Sequence, residues 1–149
     1  MEADHRRLDD LWDESVAVRL RDPVASVRLL HEFAVGLLRH IQAEEDLLFP
    51  FFERHGPDSA KRTNEIMREG HQRIRHGLDA LLAKADAGDP ELTDSETTLR
   101  NALWAHNALE ERRLYPWFDK EMPPAEGSVL ASMIRDRLRP LATDPHPST

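Results

Sequence analysis

Residues 40–52 read HIQAEEDLLFPFF, and residues 106–118 read HNALEERRLYPWF. His40, Glu44, Glu45, Leu48, Pro50 and Phe52 recur as His106, Glu110, Glu111, Leu114, Pro116 and Phe118. Two further positions stay aromatic, Phe49 as Tyr115 and Phe51 as Trp117. The offset is 66 residues at every matched position. A match this long at one offset is the signature of a repeated structural unit. In each copy a His and a Glu stand four apart, which on a helix puts them one turn apart on one face. Their imidazole and carboxylate can address one point in space, a ligand pair for a borderline cation such as iron, manganese or zinc. A lone pair of this kind on a charged helix is more often simply solvated. Its recurrence in a matched apolar frame favours ligands.

The same offset reaches further. Counting back 66 from His71 gives His5, so the chain carries His5 and His40, then His71 and His106, with 35 residues inside each pair. Four of the eight histidines obey one rule. The candidate metal ligands are therefore His5, His40, Glu44, His71, His106 and Glu110.

At 149 residues the chain is expected to form one domain with a real core. Its 40% hydrophobic and 32% charged residues suit a helical bundle. No run of 18 apolar residues offers a membrane span. The opening MEADHRRLDDLWDE lacks the apolar segment of a secretory signal. No cysteine is present, which excludes disulfides, thiolate ligands and Cys nucleophiles, and a cytoplasmic location is expected. A net charge of −8 disfavours nucleic acid as a partner.

Apolar periodicity predicts a first helix from an N-cap at Asp4 to about residue 20, with Leu8, Leu11, Trp12 and Val16 on one side. Asp22-Pro23 reads as a stop followed by a capped start. A second helix is expected from Pro23 towards Arg54, kinked or ended near Phe49 because Pro50 lacks an amide and restricts its predecessor. Pro116 should act likewise. A third helix is expected over 60–87, with Gly70 giving up helix propensity for close packing, and a fourth from Asp94 or Ser95 to about Phe118. Trp12, Trp104, Trp117 and Tyr115 read as packing residues. Residues 125–138 form a short fifth amphipathic helix. Residues 1–139 are thus expected as the bundle domain, and residues 140–149, rich in proline, as a disordered tail.

Four long helices with short connections give an all-α, up-down-up-down four-helix bundle with a short C-terminal fifth helix. The spacing supports one site. His5 lies roughly 15 and His40 roughly 16 residues from the first turn, about 23–24 Å at 1.5 Å per residue, and the other arms match in the same way. All four histidines then reach one height in the bundle, together with Glu44 and Glu110.

These residues resemble hemerythrin and the wider hemerythrin-like (HHE cation-binding) family. The matching segments are DHRRLD around His5, HIQAEEDLLFP, GHQRIRHGLDALL around His71, and HNALEERRLYP, in order over about residues 1–120. The resemblance implies two non-haem iron ions in the bundle core. His5 and His40 would serve one and His71 and His106 the other, with Glu44, Glu110 and an oxo or hydroxo group as bridges. Zinc or manganese are possible substitutes, since N/O sites discriminate weakly.

The chain departs from the family's oxygen carriers at two points. Their fifth histidine, one turn after the third-helix ligand, is replaced here by Arg75, and the fourth-helix carboxylate is a Glu four residues after its His. The symmetric pattern leaves open positions on both metals, which favours turnover or exchange over a protected oxygen adduct. Arg75 either snorkels to water or pairs with a carboxylate, or else donates hydrogen bonds to a bound peroxide or to a bridging Glu, a catalytic role outside the ligand shell. Glu45 and Glu111 fall off the ligand face and read as solvated or supporting groups.

The expected function is a non-haem di-iron protein that reacts with peroxide or dioxygen, including catalase-like turnover. The alternatives are an oxygen, nitric oxide or iron binding or sensing protein without turnover, an iron store, and a helical interaction module. The expected partner is a small diatomic or peroxide ligand, with no nucleic acid and no membrane. The sequence leaves the oligomeric state open.

Overall fold

The structure is a computed structural model, and it describes residues 2–139. The proposed tail at 140–149, with His146, lies outside the described residues. The first helix, α1, spans Glu2–Val18, so Asp4 lies inside the helix rather than capping it. That frees its carboxylate for a tertiary role. Asp22 does cap the next helix, accepting from the Ala25 amide at 3.0 Å, with Pro23 in the first turn where a missing amide does least harm.

The expected kinks at Pro50 and Pro116 take a different form. Helix α2 spans Pro23–Ala43 and runs into a π-helical turn, Glu44–Leu48, before α3, Phe49–His55. The fourth arm repeats the device: α5, Thr93–Leu109, then a π turn at Glu110–Leu114, then α6, Tyr115–Glu121. In an unbroken α-helix the Pro50 ring would clash with the carbonyl of Asp46 and leave it without a donor. In the π turn the Phe49 amide bonds to the Glu44 carbonyl, five residues back, and the chain passes the proline without ending. Each π turn begins at a glutamate of the repeat, and both recur at the same offset.

The third arm is α4, Ala60–Asp86, and a last helix, α7, Pro124–Leu138, follows the break at Pro123. Helix α1 packs on α2, α4 on α5, and α2 on α4, giving the expected all-α bundle. Reciprocal hydrogen bonds hold the first hairpin in register: Ser15 Oγ donates to the Ser26 carbonyl (2.9 Å) and Ser26 Oγ to the Ser15 carbonyl (2.7 Å). Arg19 pairs with Glu96, tying the first hairpin to α5.

Two apolar clusters flank a polar layer. One joins Leu8, Trp12, Phe33, Leu37, Ile41, Ile74, Leu78 and Leu99 from all four arms. The other joins Leu48, Phe49, Phe52, Met67, Leu114, Leu130 and Ile134, with α7 closing that end. Along α2, α4 and α5 the histidines and glutamates fall between residues of the two clusters, which cover the polar layer above and below on those arms, while His5 on α1 is part-buried. Buried Asn64 donates to the Phe49 carbonyl at 2.8 Å, fixing the ring that stacks on His71 at 5.3 Å. Trp104 corrects the packing assignment made from sequence, being 74% exposed; it sits on the outer face of α5. No described helix is long and apolar enough to cross a membrane.

Candidate metal centre

The structure brings all six candidate ligands together. Nitrogen or oxygen atoms of His5, His40, Glu44 and Glu110 lie within 4.8 Å of one another, and so do those of Glu44, His71 and His106. Glu44 belongs to both groups. The Nε2 atoms of His5 and His40 are 2.9 Å apart, and those of His71 and His106 are 3.1 Å apart. Two nitrogens each about 2.1 Å from one ion, at right angles, would stand about 3 Å apart.

Two carboxylates outside this set orient the rings. Asp4 Oδ2 lies 2.8 Å from His40 Nδ1, and Arg7 holds Asp4 from the far side at 3.0 Å. Glu45 Oε2 lies 2.7 Å from His71 Nδ1, and Arg75 grips Glu45 through both terminal nitrogens at 3.2 and 3.0 Å. A carboxylate accepting from Nδ1–H leaves Nε2 with its lone pair aimed at the cluster, the usual support for a metal-bound imidazole. Arg75 therefore acts through Glu45, one residue removed from His71, and is not among the side chains lining the chamber.

Supporting residues show where the halves differ. The position matching Asp4 is Gly70, and a Cβ there would come within 3.3 Å of His106 Nδ1. Gly70 thus lets α4 approach the His106 ring closely, which is the packing reason expected for it, but supplies no acceptor. His106 Nδ1 is buried without a hydrogen-bond partner. Glu111, which matches Glu45, is exposed. Tyr115, which matches Phe49, brings its hydroxyl to 3.4 Å from His5 Nε2. Sequence reasoning missed Asp4 as a ring support because nothing along α1 marks which carboxylate will meet a histidine of α2.

The cluster fits a cation. Glu44 Oε2 and Glu110 Oε1 are fully buried and face only ring nitrogens, of His40 and His106, and Glu110 Oε2 is buried with no hydrogen-bond partner. Buried carboxylate oxygens in that state need a positive charge. Protons meet part of the need when no metal is bound. Burial opposes charge on His40, but hydrogen bonds with Asp4 and Glu44 outweigh it and push its pKa up to about 9. The same opposition at His106, overcome by Glu110 and Glu44, gives about 10. Burial and the Glu44 charge push Glu110 up to about 8. At Glu44 burial also acts upward, yet contacts with Glu110 and three histidines hold the carboxyl well below its usual range. Burial and the His40 charge lower His5 to about 4.

A pH dependence follows from these directions. Glu110, His40 and His106 bind protons more tightly folded than unfolded, so stability falls as the pH rises from each unfolded value to each folded one. His5 and Glu44 have the opposite sign, but their windows close by pH 6.5 and 4.5. The metal-free protein should therefore lose stability steadily from about pH 7 to about pH 10, releasing roughly two protons more on unfolding at the lower end. With a cation in place of those protons the curve should flatten. Thermal melts of chelator-treated and metal-loaded protein test this; a metal-free Tm that rises over the range would contradict it.

The chamber at the cluster has a volume of about 40 Å³; Leu8, Phe33, Leu37, Ile41, Ile74 and Leu103 give it an apolar side, and His5, His40, Glu44, His106 and Glu110, with Asp9 and Asn107, a polar one. A single water needs about 10–15 Å³ on this kind of measure, so only species of a few atoms fit.

A largely buried His/Glu layer in a helical bundle, with carboxylate-supported imidazoles, is the build of a cation-binding helical protein. The hemerythrin HHE cation binding domain matches residues 1–118, and the chain belongs to that family. It is 26% identical over 148 residues to an uncharacterized hemerythrin-like protein of Schizosaccharomyces pombe, covering 97% of this chain and 70% of the relative. No solved structure matches.

Proposed function

We propose that the protein binds two iron ions through His5, His40, Glu44, His71, His106 and Glu110, and that it decomposes hydrogen peroxide. The supporting observation is the grouping of two imidazole pairs around one shared buried carboxylate, at a chamber of about 40 Å³ whose side away from the ligands is largely apolar. His5 and His40 would hold one ion and His71 and His106 the other. Glu44, common to both groups, and Glu110 would supply carboxylate ligands, and the same positions would accept manganese or zinc. When bound, a redox-active pair would supply the two electrons that one peroxide takes up and a second returns, for a net 2 H2O2 → O2 + 2 H2O. The chain's residues do the rest. Leu37, Ile41, Ile74 and Leu103 exclude bulk water, and the narrow chamber admits peroxide while rejecting larger oxidants. Asp4 and Glu45 keep both Nε2 lone pairs aimed inward. The Tyr115 hydroxyl stands at the edge of the cluster as a group able to donate a proton to, or accept one from, a small ligand.

Iron-loaded protein should evolve one O2 per two peroxides in an oxygen electrode, and zinc-loaded protein none. Evolution no faster than from free iron at equal concentration would overturn the reading. A stable visible spectral change in air without turnover would point instead to reversible binding or sensing.

A further inference from the structure

The chamber beside the histidines is not the largest cavity. A groove of about 1020 Å³ lies where the start of α1, the end of α6 and one face of α7 meet. Its floor is apolar, formed by Leu48, Phe118, Met122, Leu130, Ile134 and Leu138. Its rim is basic. The protein as a whole carries a net charge of −8, yet Arg6, Arg7, Arg135 and Arg139 line this groove against only Asp4 and Asp119. Arg7 is engaged by Asp4 and Arg139 by Asp136, each at 3.0 Å. Arg6 and Arg135 make no ion pair among the described residues.

An apolar trough under two uncommitted guanidinium groups calls for a ligand with an apolar body and an anionic head. Peroxide and dioxygen need neither feature, so the groove has no part in the reaction proposed above. We propose that it is a binding site for a single-chain fatty carboxylate, with the acyl chain over Leu130 and Ile134 and the carboxylate between Arg6 and Arg135. Charge selects the head, because a planar guanidinium matches a carboxylate with paired hydrogen bonds. The apolar floor selects the chain. The site abuts the metal centre without belonging to it. Asp4 lines the groove and bonds His40, and Tyr115 lines it with its hydroxyl 3.4 Å from His5 Nε2.

The test is calorimetric titration of the full chain with dodecanoate below its micelle concentration. One saturable site is expected, with affinity rising roughly tenfold for each two methylenes from octanoate to dodecanoate. Dodecyltrimethylammonium, with the opposite head, should bind at least tenfold more weakly. Arg6→Glu combined with Arg135→Glu should weaken dodecanoate at least tenfold with the metal content and Tm unchanged. Both side chains are exposed, so neither supports the core. Ala131→Trp, at an exposed lining position, should fill the groove and block binding. No saturable binding, equal binding of both heads, or binding that survives both sets of substitutions would overturn the proposal. So would a groove already closed by a second copy, seen as a dimer by light scattering that takes up no dodecanoate. Binding should persist in chelator-treated protein, so loss of peroxide turnover alone would sink the metal reading and leave this one standing.

Discussion

Replacing Glu44 by alanine should empty both halves of the cluster at once, taking metal content from about two ions per chain to well below one. Glu44 is wholly buried; its Oε1 lies 3.0 Å from His71 Nε2 and 3.5 Å from His106 Nε2, and its Oε2 lies 3.5 Å from His40 Nε2. No other side chain reaches three of the histidines among the ion pairs of the described residues. The metal-free variant should also be less stable at neutral pH. This carboxylate helps to hold both His40, after Asp4, and His106, after Glu110, protonated. Removing one partner of a buried ionic group typically costs about 3–5 kcal/mol, because the other charge remains. Glu44→Gln keeps the shape and should still lose metal. Glu110→Ala should be milder for the second pair, since Glu110 touches His106 while Glu44 continues to serve His71. Elemental analysis of protein purified from iron-supplemented cells, with thermal melts beside it, measures both effects. Full metal content in Glu44→Ala would contradict the shared-carboxylate arrangement.

The second large effect concerns groups that touch no metal. Asp4→Ala and Glu45→Ala should each weaken cation binding roughly 10–100-fold, the usual loss when an imidazole ligand's supporting carboxylate is removed. The losses should be selective: Asp4 serves the His5/His40 pair and Glu45 the His71/His106 pair. A chelator competition titration should then resolve one tight and one weakened ion in each variant, with the weakened one differing between them. Arg75→Ala should do less. Its pair with Glu45 is partly exposed, 27% on the Arg side, and such pairs contribute about 0–1 kcal/mol once screened by water. Equal weakening of both ions in both variants would show that the carboxylates support the bundle generally rather than particular rings.

His106 shows the limit of the repeat as a guide. Its Nδ1 has no carboxylate because the matching position on α4 is Gly70, and Glu111, the counterpart of Glu45, faces solvent. The repeat preserved the groups that point inward and let the supporting groups diverge. An inward donor must meet a fixed point, whereas a ring nitrogen can be served from several directions, by a carboxylate of either neighbouring helix or by none.

The six inward donors could be read from the chain because helix geometry converts spacing into direction and height. A His and a Glu four apart share a face, and equal arms about a turn return to one level. The same arithmetic carried the bundle and its apolar stripes. It could not anticipate the π turns at Glu44–Leu48 and Glu110–Leu114: proline forbids an unbroken α-helix, but whether the chain ends, bends or widens depends on what packs around it. Nor could it place Asp4 on His40 or Glu45 on His71. Those contacts join different helices, and a helix's own periodicity says nothing about which neighbour a rim side chain meets. Sequence thus determined which histidines and glutamates come together, their common level and the repeated frame. Tertiary packing alone decided which carboxylates hold the rings, where the helices widen, and that α7 leaves a basic-rimmed groove beside α1, because each depends on how separate helices are set against one another.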